Sequence, residues 1–194
     1  PDGAVLDPWG EAGSGSAQFD TATSIVFDTD GNRYVVDTGN NRIQKFAPDG
    51  AFLLQWGTQG DSNGQFDEPN MIAIDLDLGR LYVTEFMNNR VQVFDLDGNF
   101  LDKWGSSGKR NGQFVHPGAV AVGPDGLIYV GDAVNGSGGR VQIFDNAGTV
   151  LAIWDGFCFP HDIFQTAVGT FIVTDCATRD DESKPYHEQM PAQP

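Results

Sequence analysis

The chain has 194 residues, 40% of them hydrophobic and 11% aromatic, which is enough apolar material for a packed core and too much for a disordered polymer. Acidic residues number 27 against 11 basic, a formal net charge of −16 at pH 7, so nucleic acid and anionic membrane surfaces are disfavoured partners. Lys109-Arg110 is the only adjacent basic pair, no apolar run approaches the length of a membrane-spanning helix, and no Leu-, Ala- or Glu-rich periodic segment suggests a helical bundle.

The same phrases recur along the chain. Trp9-Gly10, Trp56-Gly57, Trp104-Gly105 and Trp154-Asp155 lie 47, 48 and 50 residues apart. Gln18-Phe19, Gln65-Phe66 and Gln113-Phe114 open successive units, and an apolar run follows each: Ile25-Val26-Phe27, Ile72-Ala73-Ile74, Val120-Ala121-Val122. A turn rich in Asp and Gly comes next, then Tyr34-Val35-Val36-Asp37, Leu81-Tyr82-Val83-Thr84-Glu85 and Ile128-Tyr129-Val130-Gly131-Asp132. Arg42-Ile43-Gln44, Arg90-Val91-Gln92 and Arg140-Val141-Gln142 follow in turn, and a last apolar run leads to the Trp. Each unit thus holds four short runs rich in Val, Ile, Tyr and Phe, the composition of strands, separated by steps that favour tight hairpins. Four antiparallel strands at a period in the forties predict an all-β chain of β-propeller blades, each burying its faces against its neighbours.

On this reading residues 1–10 are the last strands of one blade, and whole blades occupy 11–57, 58–105 and 106–155. Residues 156–179 begin another, and 180–194 form an irregular polar tail. The ring is incomplete as written. An open row leaves unpaired edges, so either further chain or association between copies is expected to close it. The first residues, Pro1-Asp2-Gly3, read as a processed, trimmed or partial chain and leave the compartment open.

The phrase Gly31-Asn32-Arg33-Tyr34-Val35-Val36-Asp37-Thr38-Gly39-Asn40-Asn41-Arg42-Ile43-Gln44-Lys45-Phe46 resembles the NHL repeat, and the likeness runs over roughly residues 1–179. It implies a propeller that is typically six-bladed; with that fold and no complete catalytic set in the sequence, the expectation is a non-enzymatic scaffold binding a protein or peptide on its loop-bearing face. The residues expected to make that contact are Asn40, Asn41, Arg42, Asn70, Asn88, Asn89 and Arg90. The competing expectation is structural: Asp37 with Arg42, Glu85 with Arg90 and Asp132 with Arg140 each bracket one turn, and an exposed pair there would add up to ~1 kcal/mol. The Asn doublets also suit turns.

A second, weaker resemblance rests on Phe157-Cys158-Phe159-Pro160-His161-Asp162-Ile163, which is similar to the blade opening of peptidyl-α-hydroxyglycine α-amidating lyases. That family implies a zinc-dependent enzyme with a metal-binding His after the opening Pro in several blades. Only His161 matches; the aligned positions hold Thr23, Asn70 and Gly118. The family's Arg after the second strand's Asp is replaced by Thr38, Phe86, Ala133 and Cys176. A zinc site would therefore be completed outside this chain, and Ca²⁺ on acidic loops is the other cation considered. Cys158 and Cys176 fall at the open end of one hairpin pair, where either a disulfide contributing about 3 kcal/mol or two free thiols fits. Pairing would favour an extracellular or periplasmic location.

Overall fold

A computed structural model describes residues 10–133, 138–165 and 170–175. The partial blade expected over 1–10 and the tail over 180–194 therefore lie almost wholly outside the described residues, as does Cys176. What is described is all-β: among these residues the one helical segment is a single 3-10 turn, Thr38–Asn40.

The strands in chain order are β1 Glu11–Ala12, β2 Gln18–Phe19, β3 Ala22–Phe27, β4 Arg33–Asp37, β5 Arg42–Phe46, β6 Phe52–Trp56, β7 Pro69–Asp75 and β8 Arg80–Glu85. They continue as β9 Arg90–Asp95, β10 Phe100–Trp104, β11 Pro117–Val122, β12 Ile128–Asp132, β13 Gly139–Phe144, β14 Val150–Phe157, β15 Pro160–Gln165 and β16 Phe171–Asp175. Strands β3–β6, β7–β10 and β11–β14 form three antiparallel four-stranded meanders, and β15 pairs with β16. Each meander is one propeller blade. The first strands of successive blades, β3, β7, β11 and β15, pack side by side and make the inner edge of the row.

Period-two alternation explains why blades stack. Alternate residues of a strand point to opposite faces of the sheet, and here both faces are apolar. One face of the first blade places Val26, Tyr34, Val36, Ile43 and Trp56 against Ile72, Ile74, Leu81, Val83 and Phe94 of the second. The pattern repeats with Met71, Ala73, Tyr82, Val91 and Trp104 against Val120, Val122, Ile128, Val130 and Phe144. It recurs with Ala119, Tyr129, Val141 and Trp154 against Ile163, Phe171 and Val173. Following chain direction, each blade thus has a trailing face that meets the leading face of the next.

The recurring Trp needs a glycine opposite it. Trp56 covers Gly98, whose φ is +80° and where an added Cβ would sit 2.7 Å from the Trp56 ring; Trp104 covers Gly148 in the same way. Only glycine combines that backbone conformation with so close an approach.

Candidate functional site

The carboxylate and Arg that bracket each second turn are not exposed pairs. Asp37 and Glu85 are fully buried, as is Asp132, and Arg42, Arg90 and Arg140 are nearly so. A buried charge must be paired and hydrogen-bonded, and the sequence supplies partners from the loop that leads into the same blade. Arg42 donates through Nε to Asp37 at 2.7 Å and through its other nitrogens to the carbonyls of Ser14, Gly15 and Gln18. Gln44 donates to Gln18 O and Asp37, while its Oε1 accepts from Ala17 N.

The second blade repeats this. Arg90 joins Glu85 and donates to the carbonyls of Asp61, Ser62 and Gln65, and Gln92 donates to Gln65 O. In the third, Arg140 joins Asp132 at 3.0 Å and reaches the carbonyls of Lys109, Arg110 and Gln113. Burial pushes the Asp132 carboxyl up, against the pull of the Val115 N–H and Arg140. The fourth blade keeps a reduced version, in which Asp175 accepts from Cys158 N and Phe159 N.

These nodes correct the expected binding set. Asn40 donates to Gly13 O and Asp37, and Asn88 to Gly60 O and Glu85, so both amides are internal to the node. Asn41 and Asn89 are left-handed turn residues, with φ of 52° and 53°. Their Oδ1 atoms accept the backbone N–H of Glu68 and His116 in the loop entering the next blade. Arg42 and Arg90 are spent on carbonyls. Of the seven residues proposed to contact a partner, Asn70 alone has a side chain with no hydrogen bond to any described residue.

Asn70 belongs to a geometric series that strand periodicity does not reveal. In every blade the ladder between the first two strands slips just after its first pair. The shift falls between Ala22 and Ser24, between Pro69 and Ile72, between Pro117 and Ala119, and between Pro160 and Asp162. The residues skipped include Thr23, Asn70, Gly118 and His161. A bulged residue is unpaired in the ladder and is re-aimed by the local bend. The four therefore form a row along the inner edge, near the loops.

Contacts between neighbours establish that row. Thr23 Oγ1 donates to Asn70 O and lies 2.8 Å from Thr38 Oγ1, which donates to Pro69 O at 2.7 Å. A Cβ built on Gly118 would lie 3.5 Å from Pro160 O, 3.6 Å from the Phe159 ring and 4.0 Å from Asn70 Nδ2. The buried glycine thus lets the Asn70 carboxamide and the Phe159 ring both come within 4 Å of the place a side chain would start. His161 is exposed and its ring lies 4.4 Å from that of Phe159. Nearby in the fold, His116 stacks on Phe86 at 4.3 Å, and its Nδ1 lies 3.1 Å from Phe86 O. A carbonyl only accepts, so in this contact Nδ1 is the donor.

This arrangement offers hydrogen-bond donors and acceptors and aromatic faces. Among the described residues no group of three or more His, Cys, Asp or Glu side chains is placed to hold a metal ion. The zinc expectation at His161 therefore has one ligand here. Cys158 is half-buried, with its backbone N–H held by Asp175, and the choice between a disulfide and two free thiols involves Cys176, outside the described residues.

A family model described as a 6-bladed beta-propeller matches residues 20–149. No curated protein matches the sequence significantly. Among solved structures, hydrazine synthase of Kuenenia stuttgartiensis is 14% identical with a TM-score of 0.63, over 78% of this chain and 41% of that one. A catalytically inactive virginiamycin B lyase from Staphylococcus aureus with quinupristin is 17% identical with a TM-score of 0.61, over 79% and 48%. A nidogen/laminin complex gives 20% and 0.61, over 79% and 56%. The chain spans about half the length of these structures, and at such identities the likeness is one of fold alone.

Proposed function

We propose, from the premise that the chain belongs to the 6-bladed β-propeller family, that it is a non-enzymatic recognition scaffold of NHL type whose inner-edge row binds a protein or peptide. The observation that carries this reading is the bulge row: Asn70 with a carboxamide that bonds no described residue, and the half-buried Phe159 ring, both close to Gly118. An extended peptide laid across the row gains amide hydrogen bonds from Asn70 and buries an apolar side chain against Phe159. Carboxamides and aromatic faces are the groups by which many sites recognise peptide segments. The nodes beneath hold the loops in place, so little ordering is needed on binding. That a propeller of similar fold occurs in a complex of nidogen with laminin is compatible with this role.

The test is selection from a random-sequence peptide library on the immobilised protein, followed by affinity measurement on variants. Peptides selected by the native chain should bind Asn70→Ala and Gly118→Leu about tenfold more weakly, ~1.4 kcal/mol. Equal affinity for both variants would remove the inner-edge reading. The zinc-lyase reading is checked on the same preparations by elemental analysis without chelator. Stoichiometric zinc that disappears in His161→Ala would replace a recognition scaffold with an amidating lyase-like enzyme.

A further inference from the structure

The loops entering the second and third blades each present an Asn-Gly step, Asn63-Gly64 and Asn111-Gly112, at the middle of a turn. Gln65 N–H closes the first turn on Ser62 O, and Gln113 N–H closes the second on Arg110 O. Both Asn residues are exposed. Asn-Gly is the step at which a polypeptide deamidates most readily, because glycine has no side chain to shield its nitrogen from the Asn carboxamide. Here that nitrogen is engaged. Gly64 N–H donates to Gln92 Oε1 and Gly112 N–H to Gln142 Oε1, each at 2.9 Å. Both glutamines are fully buried. Their Nε2 atoms donate to Gln65 O and Gln113 O, which only accept, so each Oε1 is fixed toward its glycine. In the first blade the same hold falls on Ala17, after Ser16, where no amide stands to react.

We propose that Asn63 and Asn111 are deamidation sites gated by the node glutamines Gln92 and Gln142. The reaction uses only water as co-reactant. Gly64 N gives up its proton and bonds to Asn63 Cγ; the Cγ–Nδ2 bond breaks, and ammonia leaves with that proton. Water then opens the succinimide at either carbonyl, leaving aspartate or isoaspartate in place of the amide. Asn111 and Gly112 react in the same way. While the node is intact the attacking nitrogen is held by a buried acceptor, so the turn has to open locally before the bond can form. Isoaspartate lengthens the main chain by one carbon between Ser62 O and Gln65 O, two of the carbonyls that hold Arg90. Modification thus loosens the node that restrained it, and the change runs one way. The two sites record how often each entry loop has opened.

The test is ageing of the 194-residue chain at mildly alkaline pH, with isoaspartate quantified by enzymatic methylation and located by peptide mass spectrometry. Site resolution separates Asn63 and Asn111 from Asn135-Gly136, which lies outside the described residues. In the native chain both sites should react at least about tenfold more slowly than in the urea-unfolded chain. Gln92→Met should quicken Asn63 about tenfold and leave Asn111 unchanged, and Gln142→Met should do the reverse. Gln92→Asn and Gln142→Asn keep the carboxamide but are one carbon too short to reach the glycine. They carry the same comparison where a Met variant loses the native β spectrum in circular dichroism. Native rates equal to those of the unfolded chain would overturn the proposal. So would a folded variant whose own site stays slow, or one that quickens both sites alike, since the glutamine would then not be the gate at its own loop.

Discussion

Removing Arg90 tests whether the buried nodes hold the blades together. Arg90→Met keeps much of the aliphatic volume but leaves the Glu85 carboxylate, fully buried, without its cation. It also strips donors from the carbonyls of Asp61, Ser62 and Gln65 in the loop between blades. Breaking a buried pair by deleting one partner costs about 3–5 kcal/mol. Two features place this case at the lower end: Gln92 still donates to Glu85 and to Gln65 O, and the Asp61 and Ser62 carbonyls belong to exposed residues that water can reach. A loss of about 3 kcal/mol, with a urea dependence of about 1–3 kcal/mol per molar, lowers the urea midpoint by about 1–3 M. The assay is equilibrium urea unfolding followed by tryptophan fluorescence, with Glu85→Gln/Arg90→Met as companion. Neutralising the stranded carboxylate should return at least about 1 kcal/mol relative to the sum of the single variants. A midpoint shift below about 0.5 M for Arg90→Met, or strictly additive single variants, would refute the node as a source of stability.

Gly98→Ala should destabilise by about 2 kcal/mol or more, because the added Cβ falls 2.7 Å from the Trp56 ring on a left-handed backbone. Gly126→Ala is the control: it shares the positive φ, +73°, but has nothing within 4 Å, so it should cost only about 1 kcal/mol. Equal losses for the two in thermal unfolding would show that the Trp contact is unimportant. A third expectation concerns acid. Burial raises the Asp28 and Asp95 carboxyls, but hydrogen bonds from Asn32, Tyr34 and Asp30, and from Asn99 and Asp97 with the charge of Lys45, outweigh it and hold both below 3.8. The Thr149 and Ala147 N–H groups hold Asp145 low as well. Depressed carboxyls contribute stability that is present above the unfolded value and lost as pH falls through the folded ones. Asp132, shifted upward, contributes in the opposite sense, its share being lost as pH rises. Three groups against one predict a urea midpoint that drops from about pH 4 to about pH 2, less steeply in Asp95→Ala, and a midpoint that holds or rises would contradict the assignment.

The blades were legible because their signals are local and repeated. Asp-Gly steps, alternating Val, Ile and Tyr, and a Trp at a spacing in the forties each state a backbone preference, and each recurs. Arg42-Ile43-Gln44 and its two counterparts were equally visible as a phrase, yet their meaning was not. Their partners are main-chain carbonyls of another segment, which carry no side-chain identity in a sequence. The exposed pair expected at Asp37 and Arg42 became a buried node for that reason. The four bulge positions were legible as aligned blade openings, but the slip at each escaped for a different reason. A register slip of one residue depends on how two strands settle against a third, and nothing in Thr23, Asn70, Gly118 and His161 has a common chemistry to announce it. Asn70 was singled out as a contact residue at a blade opening, without the slip that frees it.

The residue just before each inner strand carries a consequence for how such a fold diversifies. Thr21, Glu68 and His116 occupy this place with φ of 56°, 51° and 60°. Two of them have the backbone N–H held by an Asn from the preceding blade. The frame fixes the main chain there and leaves the side chain unspecified, which is why a hydroxyl, a carboxylate and an imidazole occupy equivalent sites in one molecule. Substitution at these places changes the chemistry displayed at the inner edge one blade at a time while the buried scaffolding stays constant. Selection can therefore retune the chemistry of that surface in small independent steps, and an engineer can do the same by exchanging single residues rather than loops.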